Sequence, residues 1–226
     1  MKILALDSAT SACSVALWSD GRVLAGEAAE MSRGHAEALP PMVDRVRRAA
    51  GVAFPEIDRF AVTVGPGHFT GLRIGLAAAR GLALATGRPL IGVTTLEAVA
   101  AAVAEGERAG STILVALDSK RAEPYVQSFD PLLRPEGPPA ALMPSMVADR
   151  LVEGRSYVLV GDAADRLVPE LRRRAIAMRL LADVRHPQAA IVAELAARAA
   201  APAGFPAPVY LHPVETTSPK ITAASR

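Results

Sequence analysis

The sequence predicts an α/β fold assembled from two like halves, and two echoes within the chain point that way. Leu4-Ala5-Leu6-Asp7-Ser8 returns as Val115-Ala116-Leu117-Asp118-Ser119. Each copy is an apolar strand that ends in an acidic residue and a small hydroxyl, with a turn and a second strand after it. Val62-Thr63-Val64-Gly65 and Val158-Leu159-Val160-Gly161 form the second echo, each ending a strand on glycine before a helical run. Similar units in the same order are the mark of a duplication, and a cleft between such halves is a common ligand site.

Residues 2–7, 12–19 and 22–30 read as three strands joined by tight turns. Asp20-Gly21 is a hairpin signal, because the turn needs a positive φ that glycine adopts freely. Helical character begins near Ser32 to His35. Pro40 and Pro41 place the start of the main run there, where a missing N–H costs nothing. Met42, Val43, Val46 and Ala49 or Ala50 supply its apolar stripe, and Gly51 ends it. A strand at 59–64 follows, then a glycine-rich turn, then a helix from Thr70 to Thr86 with Thr70 as its cap. A short strand at 89–93 leads to a helix from Leu96 to Ala104, capped by Thr95. The second half offers strands at 112–118, 123–130 and 156–160 and a proline-rich connector at 131–144. Its helices are expected at 145–153, 163–174 and 187–201. The predicted organisation is therefore 1–106, 107–215 and a tail, 216–226, whose lack of apolar period predicts mobility.

The chain has 226 residues, enough to bury a substantial core as one domain or two small ones. Hydrophobic residues make up 51%, but aromatics only 4%, which favours close packing of small side chains over rings. A net charge of +2 is too mild to mark a nucleic-acid binder, and Arg45-Val46-Arg47-Arg48 and Arg172-Arg173-Arg174 read as solvated helix faces. The single cysteine, Cys13, rules out an internal disulfide and sits in an apolar strand as a small filler. No signal-peptide pattern follows Lys2, and no apolar run reaches membrane-spanning length, so a soluble cytoplasmic protein is expected.

Two segments invite chemical readings. Asp7-Ser8-Ala9-Thr10-Ser11 can cradle phosphate through backbone N–H groups, with a carboxylate holding magnesium through water. It can equally be an ordinary turn whose side chains bond their own backbone. Gly65-Pro66-Gly67-His68-Phe69-Thr70-Gly71-Leu72-Arg73-Ile74-Gly75 is more unusual. Gly71 and Gly75 lie one helical turn apart on a face continued by Ala79. Mid-helix glycine costs about 0.5–1 kcal/mol against alanine, so two of them need a packing reason. That face can meet a partner subunit, the chain's own sheet, or an anion at the helix start. His35 lacks a second imidazole one turn on, since position 39 is Leu, and His68, His186 and His212 are isolated; no metal site is expected.

Taken together, residues 3–17, His35 with Leu39-Pro40, the glycine-rich motif, Gly92-Val93-Thr94-Thr95-Leu96 and Pro208-Val209-Tyr210-Leu211 resemble the bacterial TsaB family, also called YeaZ. The resemblance implies a duplicated actin-like, hexokinase-like fold of two subdomains, each with a mixed sheet and flanking helices. It implies a non-catalytic role in making N6-threonylcarbamoyladenosine on tRNAs reading ANN codons, as the partner of the transferase TsaD, with the ATPase TsaE completing the assembly. The catalytic relative carries paired metal-binding histidines, and Leu39 occupies the second of those positions here. Older peptidase labels for such sequences find no supporting residues. Carried across, the interface with TsaD, or with a second copy in a homodimer, comprises His35, Leu39, Met42, Val43 and Val46 on one helix. Gly71, Gly75, Ala78, Ala79 and Leu82 supply the other. Gly65, Pro66, Gly67, Phe69, Thr70 and Arg73 form the structural loop. Asp7, Ser8, Thr10, Ser11 and Asp118 become remnants of a phosphate loop. No cofactor is expected in the chain itself, with ATP or ADP and magnesium at a subunit interface as the alternative; tRNA is met through the complex, and no membrane is involved. The family usually has Ser at His68 and Arg at His212. The rival reading is an actin-like phosphotransferase or ATPase using Asp7 and Asp118, against which the second half lacks a glycine-rich adenosine loop.

Overall fold

In a computed structural model, which describes residues 1–212, the chain builds two five-stranded sheets with the same strand order. The first contains β1 (Lys2–Thr10), β2 (Ala12–Ser19), β3 (Arg22–Glu30), β4 (Arg59–Thr63) and β5 (Leu90–Val93) in the order β3-β2-β1-β4-β5. The second contains β6 (Thr112–Leu117), β7 (Tyr125–Phe129), β8 (Ala140–Ala141), β9 (Ser156–Val160) and β10 (Ala177–Leu180) in the order β8-β7-β6-β9-β10. In each, the first three strands are antiparallel and the last two join parallel to the first. The two sheets thus match strand for strand, and the echoed peptides fall on β1 and β6 and on the ends of β4 and β9.

Helices α1 (His35–Ala49) and α2 (Phe69–Thr86) cover one face of the first sheet. Period-2 alternation sorts β1 between its two faces: Leu4 and Leu6 turn to α1 and α2, Ile3 and Ala5 to the opposite side. The second sheet is covered on one face by α5 (Pro144–Arg150), a 3₁₀ turn at Ala164–Arg166 and α6 (Val168–Arg173), through Leu114, Ala116, Val147, Leu159, Leu167 and Leu171. A short α4 (Glu105–Arg108) precedes β6.

The remaining faces are covered crosswise, each by a helix from the other half of the chain, while the sheets themselves divide on either side of residue 106. Helix α3 (Thr95–Ala101), from the first half, lays Leu96, Val99 and Ala100 on Ile113, Val115 and Val158 of the second sheet. Helix α7 (Ala189–Arg198), from the second half, lays Ala189, Val192, Ala193 and Ala196 on Ile3, Ala5, Ala61 and Ile91 of the first. A sheet with two apolar faces needs a layer on each, and proximity in space rather than in sequence decides which helix provides it. The segment before residue 212 also returns to the first sheet, with the Val209 N–H on the Val64 carbonyl at 2.7 Å. The predicted tail lies outside the described residues.

Other boundaries move for local reasons. The α1 helix starts at His35, not at Pro40: both prolines are inside it and exposed, so the carbonyls of Ala36 and Glu37 that lose their N–H partners face water. The caps shift by a residue or two: Thr94, not Thr95, takes the Glu97 N–H at 3.2 Å, and α2 begins at Phe69 after His68, with no side-chain cap. Asp20-Gly21 makes the expected hairpin, with both residues at positive φ.

Candidate functional site

The β1–β2 hairpin was the candidate phosphate loop, and its groups are already engaged by the chain. Strand β1 runs on to Thr10, leaving Ser11 alone at the tip before β2. Asp7 is fully buried; its Oδ1 accepts from the Thr63 hydroxyl at 2.6 Å and the Ala9 N–H at 3.2 Å, while Oδ2 has no partner. Burial pushes this carboxyl up to about 7, against the opposing pull of the Thr63 and backbone hydrogen bonds. The Ser8 hydroxyl donates to the Gly71 carbonyl at 2.8 Å, and the His68 N–H takes the Ala9 carbonyl at 2.7 Å. The first turn of α2 is therefore hydrogen-bonded to the hairpin at Ser8 and Ala9. A magnesium-phosphate group does not fit this hairpin, and no chemical step is derived through one.

The same contacts explain the glycines of the predicted interface. A Cβ at Gly71 would lie 2.0 Å from the Ser8 carbonyl oxygen, one at Gly67 2.3 Å from that of Ala9, and one at Gly75 2.6 Å from the Ser8 hydroxyl. The bare ridge of Gly71, Gly75 and Ala79 is pressed on the chain's own β1, and Ala79 is wholly buried. Leu39, Met42, Val43 and Val46 of α1 are likewise core residues under the first sheet, and His35 is buried with its Nε2–H on the Thr10 carbonyl at 3.0 Å. All of these α1 and α2 residues are buried within the chain itself. Ala78 and Leu82 lie half-buried at the edge of the same core.

What α2 turns outward is a different set. Thr70, Arg73, Ala77, Gly81, Leu84 and Ala85 are exposed at helical spacing, and Leu84 is 68% exposed. The helix carries no acidic residue. At its start Arg73 stacks over the Phe69 ring at 3.7 Å, and that ring lies 5.5 Å from Tyr210. Gly65 has φ 105, in the left-handed region, and the Val209 carbonyl approaches within 2.6 Å of where its Cβ would be, so the loop Gly65, Pro66, Gly67 is clamped between β1 and the returning segment. The spacing of the apolar residues was visible in the sequence; which face would be bare and which buried was not.

Beyond the N-termini of α1 and α2 opens a cavity of about 750 Å³, bordered by Gly34, His35, His68, Lys120, Tyr125 and Tyr210. His68 lies half-buried at its wall, where burial and the Lys120 charge hold its imidazole below the usual value. His212 also borders it, its ring 5.4 Å from Tyr125. From the second half, Asp118 pairs with Lys120 at 2.8 Å and with Arg166 at 3.5 Å. Partial burial raises this carboxyl, but the Lys120 bonds and charge outweigh that and leave it below the ordinary range. Asp7 and Asp118, equivalent by repeat, thus have opposite electrostatic fates. Among the described residues no three of His, Cys, Asp or Glu converge as metal ligands. Cys13 is buried in β2, where burial and nearby carboxylates push its thiol up to about 12.

Sequence reasoning missed Thr63, which holds Asp7, and Asp162 at the lobe junction; it named Thr10 only as a phosphate-loop residue and His186 only as an isolated histidine, not as partners of each other. Thr63 stood inside the second echo, where its counterpart is Leu159; that mismatch was the available signal.

Known proteins supply the remaining context. The sequence model of the TsaD family, tRNA N6-adenosine threonylcarbamoyltransferase, matches residues 28–133, a span holding α1 and α2. The tRNA threonylcarbamoyladenosine biosynthesis protein TsaB of Escherichia coli K12 is 37% identical over 166 residues, 71% of each chain. The crystal structure of a Pseudomonas aeruginosa protein with similarity to the peptidase YeaZ superposes with a TM-score of 0.80 at 33% identity, covering 93% of this chain and 99% of that one. A ROK hexokinase from Thermus thermophilus shares the fold at 18% identity, with a TM-score of 0.51 over 88% of this chain and 100% of its own. With its strand order, its glycine-rich helix start and this degree of identity, the chain belongs to the TsaB family.

Proposed function

We propose that the chain is the non-catalytic partner subunit of a TsaD-type transferase that makes N6-threonylcarbamoyladenosine on tRNAs reading ANN codons. One observation carries the reading: α2, 18 residues long, leaves the acid-free face of Ala77, Gly81, Leu84 and Ala85 uncovered by its own chain. Small residues on an exposed helix let a second helix approach closely, and Leu84 supplies the bulk that such an interface anchors on. The match of the TsaD family model to the half bearing α1 and α2 supports it, since two chains with like helix pairs can join them as a bundle. In this reading the predicted contact helices stand, while the contact residues move from Gly71, Gly75 and Ala79 to the opposite side of α2.

The subunit would act by holding the transferase in its productive state, with an effect no larger than its differential affinity for the two states. It lends no catalytic group: Asp7 is sealed in the core and Asp118 is spent on Lys120 and Arg166. TsaE and tRNA join through the complex, in the cytoplasm. Where ATP or ADP with magnesium takes part, it belongs at the interface with the partner. A homodimer through the same α2 face is the form expected when the transferase is missing. Among the described residues no helix is long and apolar enough to cross a membrane.

The test measures tRNA modification by this chain alone, by TsaD from the same cell alone, and by the mixture. Activity is expected only in the mixture. Leu84→Glu changes an exposed side chain, so the fold should survive while affinity falls about thirty-fold or more. Modification by this chain alone, or undiminished binding by the variant, would overturn the proposal.

A further inference from the structure

A line of polar contacts, hydrogen bonds except for the 3.8 Å approach of His186 to Asp162, crosses between the lobes at the tip of the β1–β2 hairpin. His35, the first residue of α1, donates from Nε2 to the Thr10 carbonyl at 3.0 Å. The Thr10 hydroxyl pairs with Nδ1 of His186 at 3.0 Å. That same nitrogen lies 3.8 Å from Oδ2 of Asp162, whose Oδ1 accepts the Asp118 N–H at 2.8 Å. Thr10 and His35 are buried, and the side chains of His186 and Asp162 are 13% and 6% exposed. Just past His186, the Ser14 hydroxyl accepts the Ala189 N–H at 3.0 Å and fixes the start of α7 on the first lobe.

Elsewhere the lobes are joined by the crosswise packing of α3 and α7, whose alanine-rich surfaces are non-directional and tolerate small sliding. Hydrogen bonds are not so tolerant, because each buried partner left unmatched carries a desolvation penalty. The first turn of α1 lacks a side-chain cap: its cap is Gly34 in the left-handed region, and Ala38 packs on the core behind it. We propose that His35, Thr10, His186 and Asp162 form a positioning relay that sets the register of the first turn of α1 against the second lobe. A shift between the lobes then reaches α1 through Thr10 at the end of β1, whose hydroxyl meets His186 and whose carbonyl meets His35. Transmission onward to a bound subunit rests on the docking reading above; the relay itself is a property of this chain alone.

Hydrogen exchange on the isolated full chain tests it. His186→Phe should speed exchange of the Ala38 and Leu39 amides about ten-fold, the loss of roughly one buried hydrogen bond, while Leu76 inside α2 keeps the parent rate. Thr10→Val, close to the parent in shape, reads the same link should His186→Phe fail to fold. Thr10→Ser and His186→Gln, which retain hydrogen-bonding groups at the junction, should restore parent exchange. Unchanged exchange at Ala38 in Thr10→Val, equal acceleration at Leu76, or acceleration in Thr10→Ser would each overturn the relay. Failure of Leu84→Glu to weaken partner binding would leave these results untouched, so the two proposals fail separately.

Discussion

The two lobes repeat one strand order but differ in what they hang on it. On the first, α1 and α2 have 15 and 18 residues; on the second, α5 and α6 have 7 and 6. Edge strand β3 has 9 residues and its counterpart β8 has 2. The first hairpin turns at a single residue, whereas β6 and β7 are separated by the open loop from Asp118 to Pro124. The second lobe is thus trimmed to its sheet and a minimal cover, while the first carries two long helices, one with an apolar face left bare. Duplication supplied the scaffold, and unequal helix length is where the halves took on different work.

The strongest test of their equivalence is a pair of glycines. Gly65 and Gly161 follow β4 and β9 and both have φ 105. A Cβ at Gly161 would sit 2.1 Å from the Ala116 carbonyl, inside a sheet strand that cannot retreat. At Gly65 the obstacle is the Val209 carbonyl at 2.6 Å, on a segment outside the sheet strands that is held there by one backbone hydrogen bond to Val64. Gly161→Ala should therefore cost about 3 kcal/mol or more, and Gly65→Ala visibly less, by chemical denaturation. Equal costs would mean that the returning segment is as rigid as β6. Gly75→Leu belongs with the severe cases: placed against Ser8, it reports on folding and not on docking.

The next effect separates the repeated aspartates by pH. Asp7 has a native value near 7 against 3.8 for an ordinary carboxyl, so the folded chain binds this proton more tightly than the unfolded one. Its stabilising protonation is fully present below 3.8 and is lost as pH rises towards 7. Asp7→Asn keeps an oxygen for Thr63 and carries no charge. At pH 8 it should be more stable than the parent by up to roughly 4 kcal/mol, reduced by the cost of an unpartnered amide. At pH 4 the advantage should be gone. A variant less stable than the parent at both pH values would show that Oδ2 has a partner of its own.

A third, smaller effect probes the crosswise helices. Val192 of α7 is fully buried against the first sheet, and Val99 of α3 is fully buried against the second. Val192→Ala and Val99→Ala should each cost about 1–2 kcal/mol, as deletion of buried methyl groups does. Were the lobes independent at residue 106, either change would lower one of two separate transitions; joined as they are, both should lower the same one.

The sequence was most legible where local chemistry and tertiary need agreed. The echoes located β1, β6, β4 and β9, and Asp20-Gly21 announced its turn, because strand ends and tight turns are specified by adjacent residues. It was least legible where distant packing decides. Nothing adjacent to Ala189 or Leu96 tells which sheet each will cover. Strand β10 was missed because Ala-Met-Arg-Leu lacks an apolar alternation and pairs only at the sheet edge. At the site, the need of Gly71 and Gly75 for a close neighbour was readable, but the neighbour proved to be Ser8. A glycine ridge records that something approaches closely, and that is equally true of a sheet beneath it and a subunit above it.

Asp118 closes the comparison with the smallest effect. Its carboxyl is held below the ordinary value, so its sign is opposite to that of Asp7: the contribution is present above 3.8 and is lost as pH falls through the lowered native value. The side chain is 26% exposed and its partners Lys120 and Arg166 more so, so water screens the pairs and Asp118→Asn should cost less than about 1 kcal/mol at neutral pH. The Asp118 N–H, which holds Asp162, survives the substitution, and the lobe junction should keep its parent exchange pattern. If Asp118→Asn instead matched the relay variants at Ala38, the ion pairs with Lys120 and Arg166 would be part of the junction, and the second lobe's loop would share the positioning that its counterpart hairpin performs in the first.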